Sequence, residues 1–380
     1  MKVPLFRPGL GKEELKNLAE VFKTGWVGAG PKTQELENKF AKYIGSQHAI
    51  GVTSCTAALH IALQALGIKK GDEVIVPAIT TVSTPYAALY NGAKAVFADV
   101  EPDTLCMDPK DFERKITSKT KAVIPVHLGG HSCDMDAIMK IARTRSIFIV
   151  EDCANALGAK YKGERVGSFG DIGCFSFEAK KNMTTGDGGM LTTDDEKIAQ
   201  KLRALRWYGS ASDTWKRFAK GAKYSWHYDV TELGWKYNMN DVIAAIGLGQ
   251  FKKLPGILAR KDKIRAKYNK TLKGMQWLEV AHDRAHTKSG WWLYVVRVKH
   301  GLRDQFMAYM AEHGVTTSVH FPPVYHHSYF KSIGVSAHCP AAERVADEIV
   351  SLPLFASMSD KEFNYVVKTI KMFDKDVISI

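Results

Sequence analysis

Hydrophobic positions recur along this chain at two alternating periods. GKEELKNLAEVFKTG spaces its apolar residues for one helix face and stops at a glycine. TGWVGAGPK then reads as a turn-rich loop, and PKTQELENKFAKYIG predicts a second amphipathic helix opened by proline. From there strand-like runs pair with helical ones. HAIGVTS leads into TAALHIALQALGI, EVIVPAI into a short helix near YAALYNG, and AVFADV into DPKDFERKI. KAVIPVHL leads into DMDAIMKIARTR, and IFIVED closes the series. Apolar strands alternating with helices predict a mostly parallel sheet covered on both faces. Past residue 200 the pattern changes to long helices, after an aromatic-rich loop from Tyr208 to Tyr228. NMNDVIAAIGLGQFKKLPGILARKDKIRAKYNKTLKG predicts one long helix interrupted at Pro255. GWWLYVVRVKH, VTTSVHF and two terminal helices then predict a smaller α+β domain, with the division placed between residues 1–250 and 251–380.

Composition narrows the class. The 380 residues are 45% hydrophobic and 24% charged, close to the globular average and enough for two domains. The eye finds no apolar run of the roughly 18 to 20 residues that span a bilayer. MKVPLFRPGLGKEEL lacks the apolar centre of a signal peptide. Six cysteines stand scattered, with neither paired nor metal-ligand spacing, so a reduced cytoplasmic protein without a metal site is expected. A formal charge of +13 admits nucleic acid, anionic membrane or phosphorylated ligands as partners. The lysines are spread among the helices and not clustered with aromatics. A solvated basic surface is expected, with no nucleic acid and no membrane as partner.

Three features fall at the C-terminal ends of predicted strands, where open α/β sheets bind ligands. In TSCTAALH a strand runs into small and hydroxyl residues that open a helix. Exposed N–H groups there suit a phosphate, although a plain Ser or Thr cap is the commoner use of such a sequence. In FIVEDCANALGA, Asp152 follows an apolar strand directly. Its carboxylate either holds a protonated heterocyclic nitrogen or caps the next helix. In CFSFEAKKNMTTGDGG a short strand is followed by Lys180 and Lys181 before the next strand begins. A buried lysine is driven toward its neutral, nucleophilic form, whereas a solvated loop lysine is not. Phosphate anchor, acid and lysine in this order match the needs of pyridoxal phosphate.

With these motifs the chain resembles the DegT-like sugar aminotransferases, a branch of the fold-type-I pyridoxal phosphate enzymes. The resemblance runs through GWVGAGPKTQELENKFAKYIG, GVTSCTAALHIALQALGIKKGDEVIVPA, KTKAVIPVHLGG, VEDCANALGAKYKGERVGSFGDIGCFSFEAKKNMTTGDGGMLTT, LGWKYNMNDVIAAIGLGQ and EIVSLPLF, essentially the whole length. It implies an α/β fold with a mostly parallel central sheet, helices on both faces and a smaller C-terminal α+β domain. It places the cofactor-linking lysine at Lys181, leaving Lys180 a variable neighbour, and makes Asp152 the partner of the pyridine nitrogen. Thr56, Ala57 and Ser176 are implied as phosphate contacts. The glycine usual before that threonine is Cys55 here, which calls for a glycine-like backbone or a slightly different turn. Asn155 stands where relatives carry a longer Gln or His near the phenolic oxygen. Thr81 replaces the aromatic ring that stacks on the cofactor in many relatives. GWKYNMND implies that Asn238 reaches the phosphate of a partner subunit in a homodimer with shared active sites; other relatives have that asparagine where Lys236 stands. Arg206 matches a basic position near the mouth, as either a contact for a substrate carboxylate or phosphate or a surface arginine.

The resemblance implies transfer of an amino group from an amino acid, glutamate as expected donor, to a nucleotide-linked keto sugar. The SDTWKRF and WHYDVTELGWKYN segments are most similar to relatives acting at carbon four of UDP-sugars. Keto-cyclitol amination, and a ligand-binding regulator without turnover, stand as alternatives. Relatives that remove water in place of transferring an amine carry histidine at the lysine position, and Lys181 argues against that reading.

Overall fold

In a computed structural model that describes residues 1–210 and 229–378, the alternation becomes a seven-stranded sheet between helices. Its strands are β1 (His48–Val52), β2 (Glu73–Pro77), β3 (Lys94–Ala98), β4 (Thr120–Val123), β5 (Phe148–Asp152), β6 (Ile172–Ser176) and β7 (Gly189–Thr193). They lie side by side in the order β1, β7, β6, β5, β4, β2, β3. Every pairing from β6 to β3 is parallel, while β7 runs antiparallel to both its neighbours. The strands are mainly apolar and mostly buried because helices cover both faces.

Those helices are α1 (Lys12–Thr24), α2 (Pro31–Ile44), α3 (Cys55–Ala65), α4 (Ser83–Tyr90), α5 (Pro109–Lys115), α6 (Met135–Thr144), α7 (Glu196–Leu205) and α8 (Asp241–Leu272). Local chemistry sets their ends. Asp134 and Asp195 side chains cap α6 and α7, and left-handed Gly25 and Gly45 stop α1 and α2. A smaller sheet pairs Leu278–Glu279, Tyr294–Val298 and Ile349–Leu352 in antiparallel fashion under the helices Arg303–Glu312 and Asp360–Phe373.

Three expectations are corrected here. The helix over Pro255 is continuous from Asp241 to Leu272. Proline removes one donor, but contacts on both sides of it hold the helix: Asn17 donates to the Ala245 carbonyl, and Tyr268 lies in the second core. This helix also contains a stretch long and apolar enough, by length and composition, to cross a membrane; here it packs against α1 and α2. Finally, the cores do not divide at residue 250, which falls inside α8. Val3 belongs to the second core with Ile264 and Phe373, its N–H bonded to the Gly314 carbonyl. Val324, Phe330 and Val345 join the first core, with the Val324 N–H bonded to the Ala78 carbonyl.

Candidate active site

Asp152 is the last residue of β5, whose apolar body carries the carboxylate to the strand's C-terminal mouth. The side chain is buried, yet its oxygens are held. Thr84 Oγ1 donates to Oδ2 at 2.9 Å and the Ala154 N–H donates to Oδ1 at 3.0 Å. Burial pushes the carboxyl pKa up, while these bonds and the Lys181 charge pull the other way. Next to β5, β6 ends at Ser176 and the chain turns through a loop into β7. The loop is pinned by Phe177: its N–H donates to the Gly188 carbonyl and its carbonyl accepts from Thr185.

Lys181 sits in that loop, its N–H bonded to the Glu178 carbonyl at 3.0 Å. Its ammonium lies 3.6 Å from the centre of the Trp292 ring. Burial lowers its pKa to about 8, opposed by the charges of Glu178, Cys55 and Asp152. Lys180 is exposed; its N–H donates to Glu178 Oε2 at 3.0 Å and its carbonyl accepts from Trp292 Nε1 at 3.0 Å. The structure thus separates two lysines that are adjacent in sequence. One is a half-buried amine whose pKa is lowered to about 8, the other an exposed side chain.

The helix start at TSCTAALH closes the site from the β1 side. Ser54 caps α3, its Oγ accepting the Ala57 N–H at 3.1 Å, so the capping alternative is realised. The N–H groups of Cys55 and Thr56 lie in the first turn, beyond reach of a helical acceptor. Thr56 Oγ1 donates to Ser83 Oγ at 3.0 Å. Cys55 opens the helix without a positive φ, so the glycine of relatives is not required here. Its sulfur lies 4.0 Å from Asp152 Oδ1. A glycine is needed across from it instead: a Cβ on Gly189, at the start of β7, would stand 2.5 Å from the Ser54 carbonyl carbon.

The remaining expected residues are placed as follows. Ser176 is buried, its Oγ accepting the Glu178 N–H at 3.3 Å. Thr81 is half-buried just before α4, and its carbonyl accepts the Thr84 N–H. Asn155 is buried, and its Oδ1 finds no hydrogen-bond partner among the described residues. Asn238 is half-buried beside the edge of β1, bridged to Val52, with Nδ2 donating to the Met239 carbonyl at 3.3 Å. Lys236 rests its ammonium 3.3 Å over the Trp207 ring. Arg206 departs from expectation. It is 4% exposed, ion-paired to Glu37, and donates to the Gly51 carbonyl at 2.9 Å. It lines a cavity of about 570 Å³ beside Trp26, Val27 and Trp207, which neither Lys181 nor Asp152 borders. Of the segments that suggested a UDP-sugar, residues 212–218 and 226–228 lie outside the described residues.

These groups fit pyridoxal phosphate. An amine of lowered pKa, a buried carboxylate, an orphaned buried amide oxygen and a capped helix start with first-turn donors make a set that packing alone does not call for. The buried trio His127, Glu151 and Cys153 is a different matter. Glu151 accepts from His127 Nε2 and from the N–H groups of Gly167, Phe169 and Gly170, so its lone pairs serve the fold.

Residues 8–371 match the DegT/DnrJ/EryC1/StrS aminotransferase family. The chain belongs to that family. It is 41% identical over 376 residues to the spore coat polysaccharide biosynthesis protein SpsC of Bacillus subtilis, covering 97% of this chain and 96% of SpsC. Spr1654 of Streptococcus pneumoniae, solved in its PMP form, superposes with a TM-score of 0.93 at 32% identity, over 99% of this chain and 100% of Spr1654. Sugar aminotransferase CalS13 of Micromonospora echinospora gives 0.88 at 31% identity, over 97% of this chain and 99% of CalS13. The chain is therefore a PLP-dependent sugar aminotransferase of fold type I.

Four residues of the site escaped the sequence reading. Thr84 holds Asp152, and Trp292, just before the strand Tyr294–Val298, and His320, bonded to Ser351, face Lys181. Lys261 reaches the lysine loop from α8. Only Lys261 left a readable signal, a lysine on the apolar stripe Leu254, Ile264, Tyr268.

Proposed function

We propose that this enzyme moves an amino group from an amino acid, with glutamate as donor, to a nucleotide-linked keto sugar, at carbon four of a 4-keto-6-deoxy hexose. The observation that carries the reading is the enclosed Lys181 amine, with its pKa lowered to about 8, in one site with the buried Asp152 carboxylate. Bound pyridoxal phosphate supplies an electron sink for the carbanion formed at the donor's α-carbon. Neutral Lys181 Nζ would hold the cofactor at its aldehyde carbon and, when free, would serve as the base and then the acid for the donor's α-proton. Asp152 accepts a charge-assisted hydrogen bond from the protonated ring nitrogen and is itself kept ionised by it. Asn155 donates toward the phenolic oxygen, and Thr81 packs on the ring. Thr56, Ala57 and Ser176 hold the phosphate. Asn238 reaches the phosphate bound by a second copy of the chain in a homodimer. After the 2-oxo acid leaves, the keto sugar enters and the same groups run the proton transfer in reverse, giving ping-pong kinetics.

The net charge of +13 suits a diphosphate-bearing acceptor. SpsC is named for polysaccharide biosynthesis, which agrees with a sugar product. Six free, buried cysteines suit a reducing cytoplasm. Arg206, tied to Glu37, is assigned to shaping the cavity wall and not to substrate. The test is a panel of nucleotide-linked keto sugars incubated with glutamate and the loaded enzyme, read by product mass spectrometry. A 4-amino product from a nucleotide-linked sugar is expected. Amination of a free keto sugar or a keto-cyclitol alone would overturn the acceptor assignment.

A further inference from the structure

Helix α8 carries a lysine where its buried stripe calls for an apolar side chain. Leu254, Lys261, Ile264, Tyr268 and Leu272 fall at helical spacing, and all are buried. Lys261 is 4% exposed, and no carboxylate among the described residues pairs with it. Its ammonium donates to two neutral acceptors, Asn182 Oδ1 at 2.7 Å and the Trp292 carbonyl at 3.1 Å. Burying a charge without a counter-ion is unfavourable, and a methionine or leucine would fill the stripe without that cost. Burial lowers the Lys261 pKa to about 7, and the neighbouring Lys181 lowers it too.

Both acceptors belong to the chain segments that hold Lys181. Asn182 is the next residue, and its Nδ2 donates to the carbonyls of Gly290 at 2.7 Å and Leu157 at 3.2 Å. Trp292 donates through Nε1 to the Lys180 carbonyl, and its ring is the surface against which the Lys181 amine rests. Phe6 stacks on that ring at 5.9 Å and His320 meets it edge-on at 5.6 Å, so the indole has little freedom. The residues flanking Lys181 and the ring beneath it are thus joined through one buried amine.

We propose that Lys261 is a positioning residue for the transfer reaction: by tying Asn182 to Trp292 it holds the Lys181 amine in its enclosed seat. The proposal rests on the reading of Lys181 as the cofactor lysine, but the tie belongs to the protein alone and is testable without cofactor. The titratable groups that face Lys181 are Glu178 and Lys180 from its own loop, Cys55 and Asp152 from the sheet side, His320 from the segment beside Ser351 and Lys261 from α8.

Competitive acetylation of the full-length apoprotein across a pH series, read by peptide mass spectrometry, reports the neutral fraction of each lysine. The midpoint expected for Lys181 in the wild type is about 8. Lys261→Met keeps nearly the side-chain length but removes the donor. Water entry into the loosened seat raises the Lys181 pKa. A rise of about one unit takes the neutral fraction at pH 8 from about one half to about one in eleven, a roughly fivefold fall in labelling. Lys261→Arg, which keeps the donors, restores labelling to at least within about twofold of wild type, and exposed Lys180 labels alike in all three. Wild-type labelling of Lys181 in Lys261→Met overturns the proposal, and so does a Lys261→Arg variant as slow as Lys261→Met. Should Lys261→Met not fold, Asn182→Leu cuts the same tie from its other end and must show the same fall; an unchanged rate there overturns the proposal equally. Borohydride mapping of the loaded enzyme keeps the two ideas apart. Cofactor on another lysine sinks the functional reading, whereas unchanged labelling sinks the tie.

Discussion

Removing the Thr84 hydroxyl tests how Asp152 is kept ready for the cofactor. Thr84 Oγ1 is fully buried and donates to Asp152 Oδ2 at 2.9 Å, leaving the Ala154 N–H as the other close donor to that carboxylate. Thr84→Val keeps the shape and removes the donor. A hydrogen bond to a charged group contributes roughly 1.5 to 3 kcal/mol, and the surviving Ala154 bond argues for the lower half, about 2 kcal/mol. That loss falls on the ionised carboxylate, so the Asp152 pKa, already raised by burial, rises further. The ionised carboxylate is the form that grips a protonated ring nitrogen, so cofactor affinity should fall about thirtyfold at neutral pH. Thr84→Ser keeps the hydroxyl and should bind within about threefold of wild type, the residue of lost packing being worth less than about 1 kcal/mol. The assay is absorbance titration of the apoenzyme with pyridoxal phosphate, with thermal unfolding of the three apoproteins as a control for the lost Thr80–Thr84 bond. Wild-type affinity in Thr84→Val, or an equal loss in Thr84→Ser, would refute the reasoning.

Capture of the cofactor aldehyde by apoenzyme, followed by stopped flow, should rise with pH and level off past a midpoint near 8, because the attack needs neutral Lys181. A rate still climbing toward the ordinary lysine value would show a solvated amine. Glu178→Gln removes a charge that props the Lys181 pKa up, so its midpoint should move to lower pH; a rise would contradict that sign. Glu37→Gln leaves Arg206 buried beside a neutral amide and should cost about 3 kcal/mol in urea unfolding. A change below about 1 kcal/mol would mean the pair is hydrated.

The sheet was legible because strands buried on both faces print as largely apolar runs, and the strand-end positions of Asp152 and Lys181 because each comes at the end of such a run. Cys55 was over-read: its backbone turned out ordinary, and the tight approach lies at Gly189 across the strand. Arg206 was misplaced because its partner Glu37 lies far off in sequence, on α2, and only the edge of β1 brings them together. Thr84 was hidden for a similar reason, since its bond to Asp152 spans from α4 to β5. The boundary expected at residue 250 falls inside a helix that continues past a proline despite one lost donor, and the chain ends cross between cores. Pattern reading finds what neighbours in sequence determine; contacts between distant elements need the fold.

The central claim is that Lys181, and not its neighbour, carries the cofactor. Borohydride reduction of the yellow holoenzyme, followed by peptide mapping, tests it most directly. The account predicts the reduced cofactor on Lys181 in the AKKN peptide, and no labelled peptide from Lys181→Ala. Cofactor on Lys180, on Lys261, or retained covalently in Lys181→Ala would contradict it.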